Sequence, residues 1–228
     1  MNDIEHHPSR YTFDQRLATL KRRLVLEAGQ AIKMLEDALS ALFISDREAA
    51  MAVRKADDVI DEEEVQIELE CFRLLAMEQP VARDFRAVTF VLKANADIER
   101  VADHASSIAK ICRKIQSDHN PVWPTALKEL GVRVPLQCHD ALRAIQMEDT
   151  ALAEGVISTD DVIDELEKQL FEETVDMMRT EDNTEALGMQ INRIGRELER
   201  AADLMTDIAR DIIYLNTGHI VRHSRRTS

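Results

Sequence analysis

The sequence has few of the residues that interrupt helices. Its 228 residues include six glycines and five prolines, and aromatic residues make up only 4%. Because glycine and proline mark most turns, the chain has room for few of them. The commonest residue types are instead Ala, Glu, Asp, Leu, Ile and Arg, a composition that favours long helices over sheets. We therefore predict an all-α protein.

Cysteines and long apolar runs are also scarce. The three cysteines, Cys71, Cys112 and Cys138, lie far apart and form no C-x-x-C pair. They are expected to be small buried hydrophobic residues in a reducing cytosol. No stretch reaches the 18 apolar residues of a spanning helix, and residues 1–10 lack the apolar run of a signal peptide. The sequence predicts a soluble, cytoplasmic protein without direct membrane insertion.

Several motifs of catalytic sites are missing. The sequence contains no Gly-rich phosphate loop, no G-x-S-x-G and no H-E-x-x-H. None of its seven histidines has a glutamate three residues before it, which removes the Glu-x-x-His motif of di-iron helical bundles. We predict that the protein is not an enzyme. A carboxylate-based metal-dependent enzyme and a purely structural helical scaffold remain the alternatives.

The charge balance is strongly acidic. Forty-three acidic residues against 29 basic ones give a formal net charge of −14. This charge opposes binding to nucleic acid and to anionic membranes, and it favours basic or metallic partners. The C-terminal tail at residues 218–228 is locally basic and contains Arg222, His223, Arg225 and Arg226, but it is too short to reverse this argument.

Turn signals divide the chain into six helices. The first three are predicted at residues 13–44, 46–77 and 80–115, with a capping-box pattern at residues 45–48. Helix four is predicted at residues 125–153, with a kink or a late start caused by Gly131 and Pro135. Gly155 is expected to end helix four, and residues 158–161 are expected to cap helix five. Helix six follows a second box-like start at residues 182–185 and continues to Asn216.

The chain also contains an internal repeat. Residues 57–64 match residues 160–167, and residues 97–105 match residues 197–205. The turn-like segment 117–124 separates the copies, which predicts a first three-helix repeat at residues 1–119 and a second at residues 120–217. Each unit is too thin to bury its apolar stripes alone, so the two should pack together. In helices three and six, apolar residues alternate in steps of four and three, the pattern of a left-handed bundle.

Pairs of acidic residues recur at equivalent places in both copies. Each pair is spaced four residues apart, so both carboxylates lie on one face of a helix, where like charges repel by a few tenths of a kcal/mol. The pairs are Asp57 with Asp61, Glu99 with Asp103, Asp160 with Asp164, and Glu199 with Asp203. If the two long helices of each repeat meet along these edges, four carboxylates converge there.

Two interpretations of these carboxylates remain open. They could form a solvated acidic face with ion pairs, partly neutralised by Arg100 and Arg200, or they could bind metal ions. Carboxylates from two helices suit Mg²⁺, Mn²⁺, Ca²⁺ or carboxylate-bridged iron better than a structural Zn²⁺. His104 follows Asp103, but its counterpart is Leu204. A ligand role common to both copies is therefore not expected of His104, which is predicted to be a surface or core histidine.

The sequence resembles the PhoU family of phosphate-transport accessory and regulatory proteins. The resemblance rests on residues 80–86, 98–105, 198–203 and 213–218, and it covers nearly the whole chain. It implies two three-helix bundles related by pseudo-twofold symmetry. It also implies that E/D-x-x-x-D motifs, which hold metal clusters in some members, correspond to the four acidic pairs; the ion would be Mg, Mn, Fe or Zn.

The resemblance implies further properties. The family acts as a cytoplasmic, usually dimeric, negative regulator of phosphate uptake and of phosphate-starvation signalling. It links a phosphate ABC transporter, through its ATPase subunit, to a sensor histidine kinase. This chain has Ala102 and Ala202 where many members have glycine, and Leu204 where they have histidine. We therefore expect the first metal site to be better formed than the second.

Overall fold

The computed structural model of the protein describes residues 8–115, 121–181 and 184–220. Within these ranges it contains six α-helices and no strands, as predicted. The helices are α1 (Pro8–Phe43), α2 (Arg47–Glu78), α3 (Ala82–Cys112), α4 (Thr125–Met147), α5 (Thr150–Thr180) and α6 (Glu185–Thr217). Over the same ranges, none of them has an apolar stretch long enough to cross a membrane.

The helices form two bundles. In the first, α1, α2 and α3 each contact the other two, and α4, α5 and α6 do the same in the second. Between the bundles, α3 packs against α6 and α1 against α4, whereas α2 and α5 contact only their own bundle in the part of the chain described. Exchanging α1–α3 with α4–α6 leaves this set of contacts unchanged. The predicted pair of pseudo-twofold related three-helix bundles is therefore confirmed.

The predicted apolar seam of α3 and α6 lies inside the protein. In α3 its members are all buried: Ala87, Val91, Ala94, Ile98, Val101, Ala105, Ile108 and Cys112. In α6, Ile191, Ile194, Leu198, Ala201, Met205, Ile208 and Ile212 are buried, and Leu187 is partly buried. Both helices belong to one continuous hydrophobic core, which also contains the three cysteines. The expectation that the two repeats pack against each other is confirmed.

Aromatic residues join the bundles where α1 meets α4. The rings of Phe43 and Trp123 lie edge to face, with centroids 6.0 Å apart. Trp123 Nε1 donates a hydrogen bond to the Phe43 carbonyl over 3.4 Å. At Gly131, a Cβ atom would lie 2.8 Å from the Phe43 ring, so glycine lets α4 approach this ring closely. Helix α4 begins at Thr125, as predicted, and includes both Gly131 and Pro135, so of the two expected effects of these residues, a kink or a late start, the late start does not occur.

The connection between α4 and α5 differs from the prediction. The turn lies at Glu148 and Asp149, and Gly155 and residues 158–161 are in the interior of α5. Asp149 caps α5 by accepting hydrogen bonds from the backbone N–H groups of Ala151 and Leu152. Because Asp149 is a strong N-cap, α5 begins earlier than predicted. The isolated Gly155 lies inside α5 and does not interrupt it.

Glu148 makes this turn because tertiary contacts hold it there. Its backbone is left-handed, with φ 48°, although it is not a glycine. Its carboxylate pairs with Lys21 and, at 3.5 Å, with Arg83, and its carbonyl accepts a 2.6 Å hydrogen bond from Asn216 Nδ2. These contacts offset the strain of the left-handed backbone.

The first bundle has the same turn at the equivalent place. Ser45 is left-handed with φ 57°, and Asp46 caps α2 through the N–H groups of Glu48 and Ala49. The offset that pairs Asp57 with Asp160 also pairs Asp46 with Asp149. Extending the repeat would therefore have located this turn from the sequence.

Three predictions fall on residues outside the described ranges. The boundary between residues 119 and 120 lies there, as do residues 182–183 of the box before α6 and residues 221–228 of the basic tail. The division into segments 1–119, 120–217 and 218–228 stays a prediction.

We expect Asp149→Ala to lower the free energy of unfolding by about 1 kcal/mol, the usual cost of losing a side-chain cap. Urea denaturation followed by circular dichroism measures it. Ser158→Ala is the matched control, because Ser158 is a solvent-exposed residue in the middle of α5, away from its N-terminus. It should change stability by less than about 0.5 kcal/mol. A larger loss in Ser158→Ala than in Asp149→Ala would contradict the position of the turn.

Candidate metal centre

The eight predicted carboxylates form two groups of four, one group in each bundle, and each group lies along the facing edges of two helices. Those of α2 face those of α3, and those of α5 face those of α6. Each pair is next to a buried apolar residue, for example Glu99 beside Ile98 of the α3 seam and Asp61 beside Ile60 of α2. The members are therefore half-buried (Asp57, Glu99, Asp160, Asp164, Glu199) or exposed (Asp61, Asp103, Asp203), as expected at the edge of an apolar seam.

The second bundle brings three carboxylates within the spacing of metal ligands. One oxygen each of Asp160, Asp164 and Asp203 lies within 4.8 Å of the other two. No other group of three or more His, Cys, Asp or Glu residues reaches this spacing in residues 8–115, 121–181 and 184–220. Glu199 lies one turn before Asp203. Its pKa is raised by burial and then by the negative charges of Asp203, Asp164 and Glu167. Three of the four predicted residues of this bundle thus reach the spacing of metal ligands, and Glu199 interacts with them electrostatically.

In the first bundle the four carboxylates interact over a wider spacing. Burial has the largest effect on the pKa values of Asp57, Asp61 and Glu99 and raises all three. The negative charge of Asp103 raises each of them further. Asp57 Oδ1 is buried without a hydrogen-bond partner. We had expected this cluster to be the better site. Which cluster binds an ion more tightly stays a prediction. The carboxylate oxygens lie closer together in the second cluster than in the first.

The glutamate of each cluster has the most displaced pKa of the eight residues. Burial raises the pKa of Glu99 to about 7, and Asp103, Asp61 and Glu64 raise it further. Burial likewise raises the pKa of Glu199 to about 7, followed by Asp203 and Asp164. Each cluster thus contains negative charge that its surroundings do not fully neutralise, although Arg200 partly offsets the raised pKa of Glu199. An all-oxygen donor set with an unpartnered buried oxygen fits a hard divalent cation or carboxylate-bound iron.

Hydroxyl groups that the sequence analysis missed support one aspartate in each cluster. Ser106 hydrogen-bonds the carboxylate of Asp57. At the equivalent place, Thr206 Oγ1 donates to Asp160 Oδ1 over 3.2 Å. Each hydroxyl residue follows the last aspartate of its motif by three positions, on the same helix face. This recurrence in both copies is the sequence signal that could have identified them.

A buried glutamine extends this support in the second bundle only. Gln137 Nε2, from α4, donates to Thr206 Oγ1 over 3.1 Å and to the Val156 carbonyl over 3.3 Å. The chain Gln137–Thr206–Asp160 holds Asp160 in place, and outer hydrogen bonds of this kind orient metal ligands. The repeat offset pairs Gln137 with Met34, which has no amide, so the first bundle lacks this chain.

His104 contacts the opposite bundle. Its Nδ1 lies 2.7 Å from Glu197 Oε2 on α6, and Arg193 lies 3.6 Å from the other oxygen of Glu197. The side chain of His104 is 18% exposed. His104 thus links α3 to α6 beside Asp103, and its counterpart Leu204 has no polar group for the same purpose. The histidine is a half-buried interface residue, intermediate between the predicted surface and core positions.

These features define a class of protein: two fused three-helix bundles, each with a carboxylate cluster between its second and third helices. Comparison with known proteins identifies the class further. The sequence model of the PhoU domain matches residues 24–112 and again residues 127–212. The chain belongs to the PhoU family, which confirms the resemblance seen in the sequence.

Relatives and solved structures cover almost the whole chain. The phosphate-specific transport system accessory protein PhoU homolog of Pseudomonas aeruginosa is 31% identical over 97% of this chain and 92% of its own length. The homolog from Clostridium acetobutylicum is 31% identical over 92% and 96% of the two chains. Crystal structures of PhoU from Streptococcus pneumoniae and P. aeruginosa superpose with TM-scores of 0.86 and 0.87, at 28% and 31% identity. They cover 92% and 91% of this chain and all of their own.

We expect the chelator-treated protein to lose thermal stability as the pH rises from about 4.5 to about 7. Glu99 and Glu199 have native pKa values of about 7, above the ordinary value of 4.5, so the folded state retains protons that the unfolded state releases. The stabilisation that these two protons provide is fully present below the unfolded-state pKa of about 4.5. It is lost as the pH rises through the native pKa of about 7. Circular dichroism melting curves measure the midpoint.

The matched control for this pH series is the double variant Glu99→Gln and Glu199→Gln. It removes both titrating groups while keeping their size, so its melting midpoint should depend less on pH over this window. A midpoint of the parent protein that rises with pH would contradict the expected sign.

Proposed function

We propose that this protein is an accessory protein of a phosphate transport system and that its two carboxylate clusters bind metal ions. The observation that carries the first part is the match along 97% of the chain to a relative that bears this name. The second part is supported by the cluster of Asp160, Asp164 and Asp203, whose oxygens approach one another to within 4.8 Å.

The metal has a structural role in this proposal. A bound cation neutralises like charges from two helices. Asp57 and Asp61 then hold α2 against Glu99 and Asp103 of α3, and the corresponding residues hold α5 against α6. Ser106 and Thr206 keep one aspartate of each cluster in position. Because α2 and α5 contact only their own bundle, their outer faces are available for partners.

The finer proposal follows the resemblance. The protein acts in the cytoplasm, as a homodimer, and it negatively regulates phosphate uptake and phosphate-starvation signalling. It does so as an adaptor between the ATPase subunit of a phosphate ABC transporter and a sensor histidine kinase. The acidic surface, with a formal net charge of −14, supports protein or metal partners over nucleic acid.

Two alternatives give different experimental outcomes. A carboxylate-based metal-dependent enzyme would turn over a substrate at an open coordination position with a base beside it. A purely structural scaffold would bind no metal and would have no phosphate-linked phenotype. Metal content and partner recovery therefore distinguish the three functions.

We expect Asp103→Ala and Asp203→Ala each to reduce the metal content of the purified protein, because each removes one ligand of a different cluster. Losing an outer hydrogen bond to a ligand already weakens metal affinity by about 10- to 100-fold, so losing the ligand itself should weaken it at least as much. Elemental analysis after dialysis against Mn²⁺ measures the bound ion.

Glu172→Ala is the matched control for the metal measurement. Glu172 is an exposed carboxylate on α5, two turns beyond Asp164, so its loss should leave the metal content unchanged. Equal metal in the parent and both aspartate variants, or no metal in the parent, would contradict the metal part of the proposal.

We expect the full-length protein to recover phosphate-transporter ATPase subunits when used as bait in extracts of phosphate-replete cells. Mass spectrometry of the captured proteins measures this. An unrelated acidic helical protein of similar charge serves as the control bait, because it tests for nonspecific electrostatic capture. Repeated absence of these subunits in the presence of Mn²⁺ would contradict the adaptor role.

A further inference from the structure

An apolar stripe lies on the outer face of α2. Val65, Leu69 and Phe72 are spaced four and three residues apart, so their side chains share one side of the helix. They are 46%, 41% and 48% exposed. Exposed Ala76 extends the line by one turn, and these four residues are the α2 stripe. Because α2 packs only on α1 and α3, no helix in residues 8–115, 121–181 and 184–220 covers the stripe.

The second bundle has a charged face at the same positions of α5. The repeat offset pairs the four residues of the α2 stripe with Lys168, Glu172, Val175 and Arg179. Lys168 forms a 3.3 Å ion pair with Glu165, as is usual on a helix face in contact with water. Packing inside a bundle therefore does not require apolar residues at these positions. Contiguous exposed apolar residues mark interaction surfaces, which makes the α2 stripe a candidate for one.

Two opposite charges lie on one flank of the stripe. Glu62 is exposed near its N-terminal end, and Arg73 is exposed near its C-terminal end. At 100° per residue the two positions are only about 20° apart around the helix. Arg73 lies 3.6 Å from Glu70, but its side chain is 65% exposed and can also reach outward. The flank is thus acidic at one end and basic at the other.

This order of charges makes the surface complementary to itself. In an antiparallel pair of α2 helices related by a twofold axis, the same flank of each helix faces the other. With the axis beside Leu69, Glu62 of each copy lies near Arg73 of the other copy. Leu69 then packs on Leu69, and Val65 lies opposite Phe72. Steps of four and three residues are also the apolar spacing of paired helices.

A surface hollow next to Val65 supports the same arrangement. It is lined by Asp61, Glu62, Val65 and Gln66, all on α2. In the antiparallel pair, this hollow lies opposite Phe72 of the second copy. A large side chain on one helix would therefore enter a depression on the other, as knobs enter holes between paired helices.

We propose that the α2 stripe is the surface through which two copies of this chain associate, with their α2 helices antiparallel and crossing at Leu69. The inference deepens the proposed homodimer and rests on it, because it assigns the contact surface. Asp61 and Glu68 make the other flank acidic in both copies, and each chain has a formal net charge of −14. Repulsion therefore limits the affinity, and the dimer should dissociate on dilution.

The first test compares the parent with Leu69→Glu by sedimentation velocity over a range of protein concentrations. Glutamate is the residue that α5 has at this position, so the variant should fold, which circular dichroism checks. It places two carboxylates at the twofold axis and should raise the dimer dissociation constant by at least about 10-fold. Val162→Glu is the matched control, because Val162 is a 45% exposed apolar residue of α5. It should leave the dissociation constant unchanged.

The second test exchanges the charges of the flank. Glu62→Arg and Arg73→Glu each place like charges opposite one another and should each weaken the dimer by about 3- to 10-fold. The double variant with both changes restores opposite charges across the axis. Its dissociation constant should return to within about 2-fold of the parental value. A double variant weaker than both single variants would contradict the antiparallel arrangement.

The outcomes separate this inference from the broader function. If the parent is dimeric and Leu69→Glu is equally dimeric, the homodimer stands and the α2 stripe is the wrong surface. If the parent is monomeric at about 100 μM, the homodimer and this inference both fail. Capture of another protein that depends on Leu69 would in that case assign the stripe to a different partner. The metal content and the recovery of transporter subunits test the rest of the proposed function independently.

Discussion

The packing of α3 against α6 is the constraint on which the rest of the structure depends. Each of these helices contacts both other helices of its own bundle and also its counterpart, so its apolar seam is buried on several sides. Because Glu99 and Asp103 are adjacent to seam residues in the sequence, burial of the seam sets their position at its edge. The same holds for Glu199 and Asp203. The core thus determines where the carboxylates lie and how strongly burial acts on them.

Placing carboxylates at this edge creates an electrostatic cost that arginines relieve only in part. In the second cluster burial raises the pKa values of Glu199, Asp160 and Asp203, and the opposing effects of Arg200 and Arg210 are smaller. Arg100 lies 4.0 Å from Asp97 rather than on the cluster beside it, and Arg23 pairs with Glu63. The first bundle adds Glu27 and Asn95, whose buried oxygens have no partner. This concentration of incompletely neutralised oxygen atoms is the physical basis for the proposal that the bundles bind cations.

The two bundles share a fold but differ in their polar interiors. The second supports its cluster with Gln137 and Thr206, and its three aspartates approach one another closely. The first has a methionine in place of that glutamine, and a carboxylate at a position where the second has leucine. His104 and Glu197 join the bundles next to the first cluster, without an equivalent at the other end of the seam. The two copies of the duplicated unit therefore have carboxylate clusters with different surroundings.

Local pattern was sufficient for much of this protein. The 3.6-residue periodicity, the scarcity of glycine and proline, and the repeat determined six helices, two units, the buried seam and the edges that carry the acidic pairs, because these depend on which face of a helix is apolar. The position of the turn at Glu148 follows from the repeat with Ser45, but only tertiary structure decided the contacts from Lys21, Arg83 and Asn216 that stabilise its left-handed backbone. It also decided the burial of Glu27 and the bonds from Ser106 and Thr206, because the chain brings these groups together only when separate helices pack.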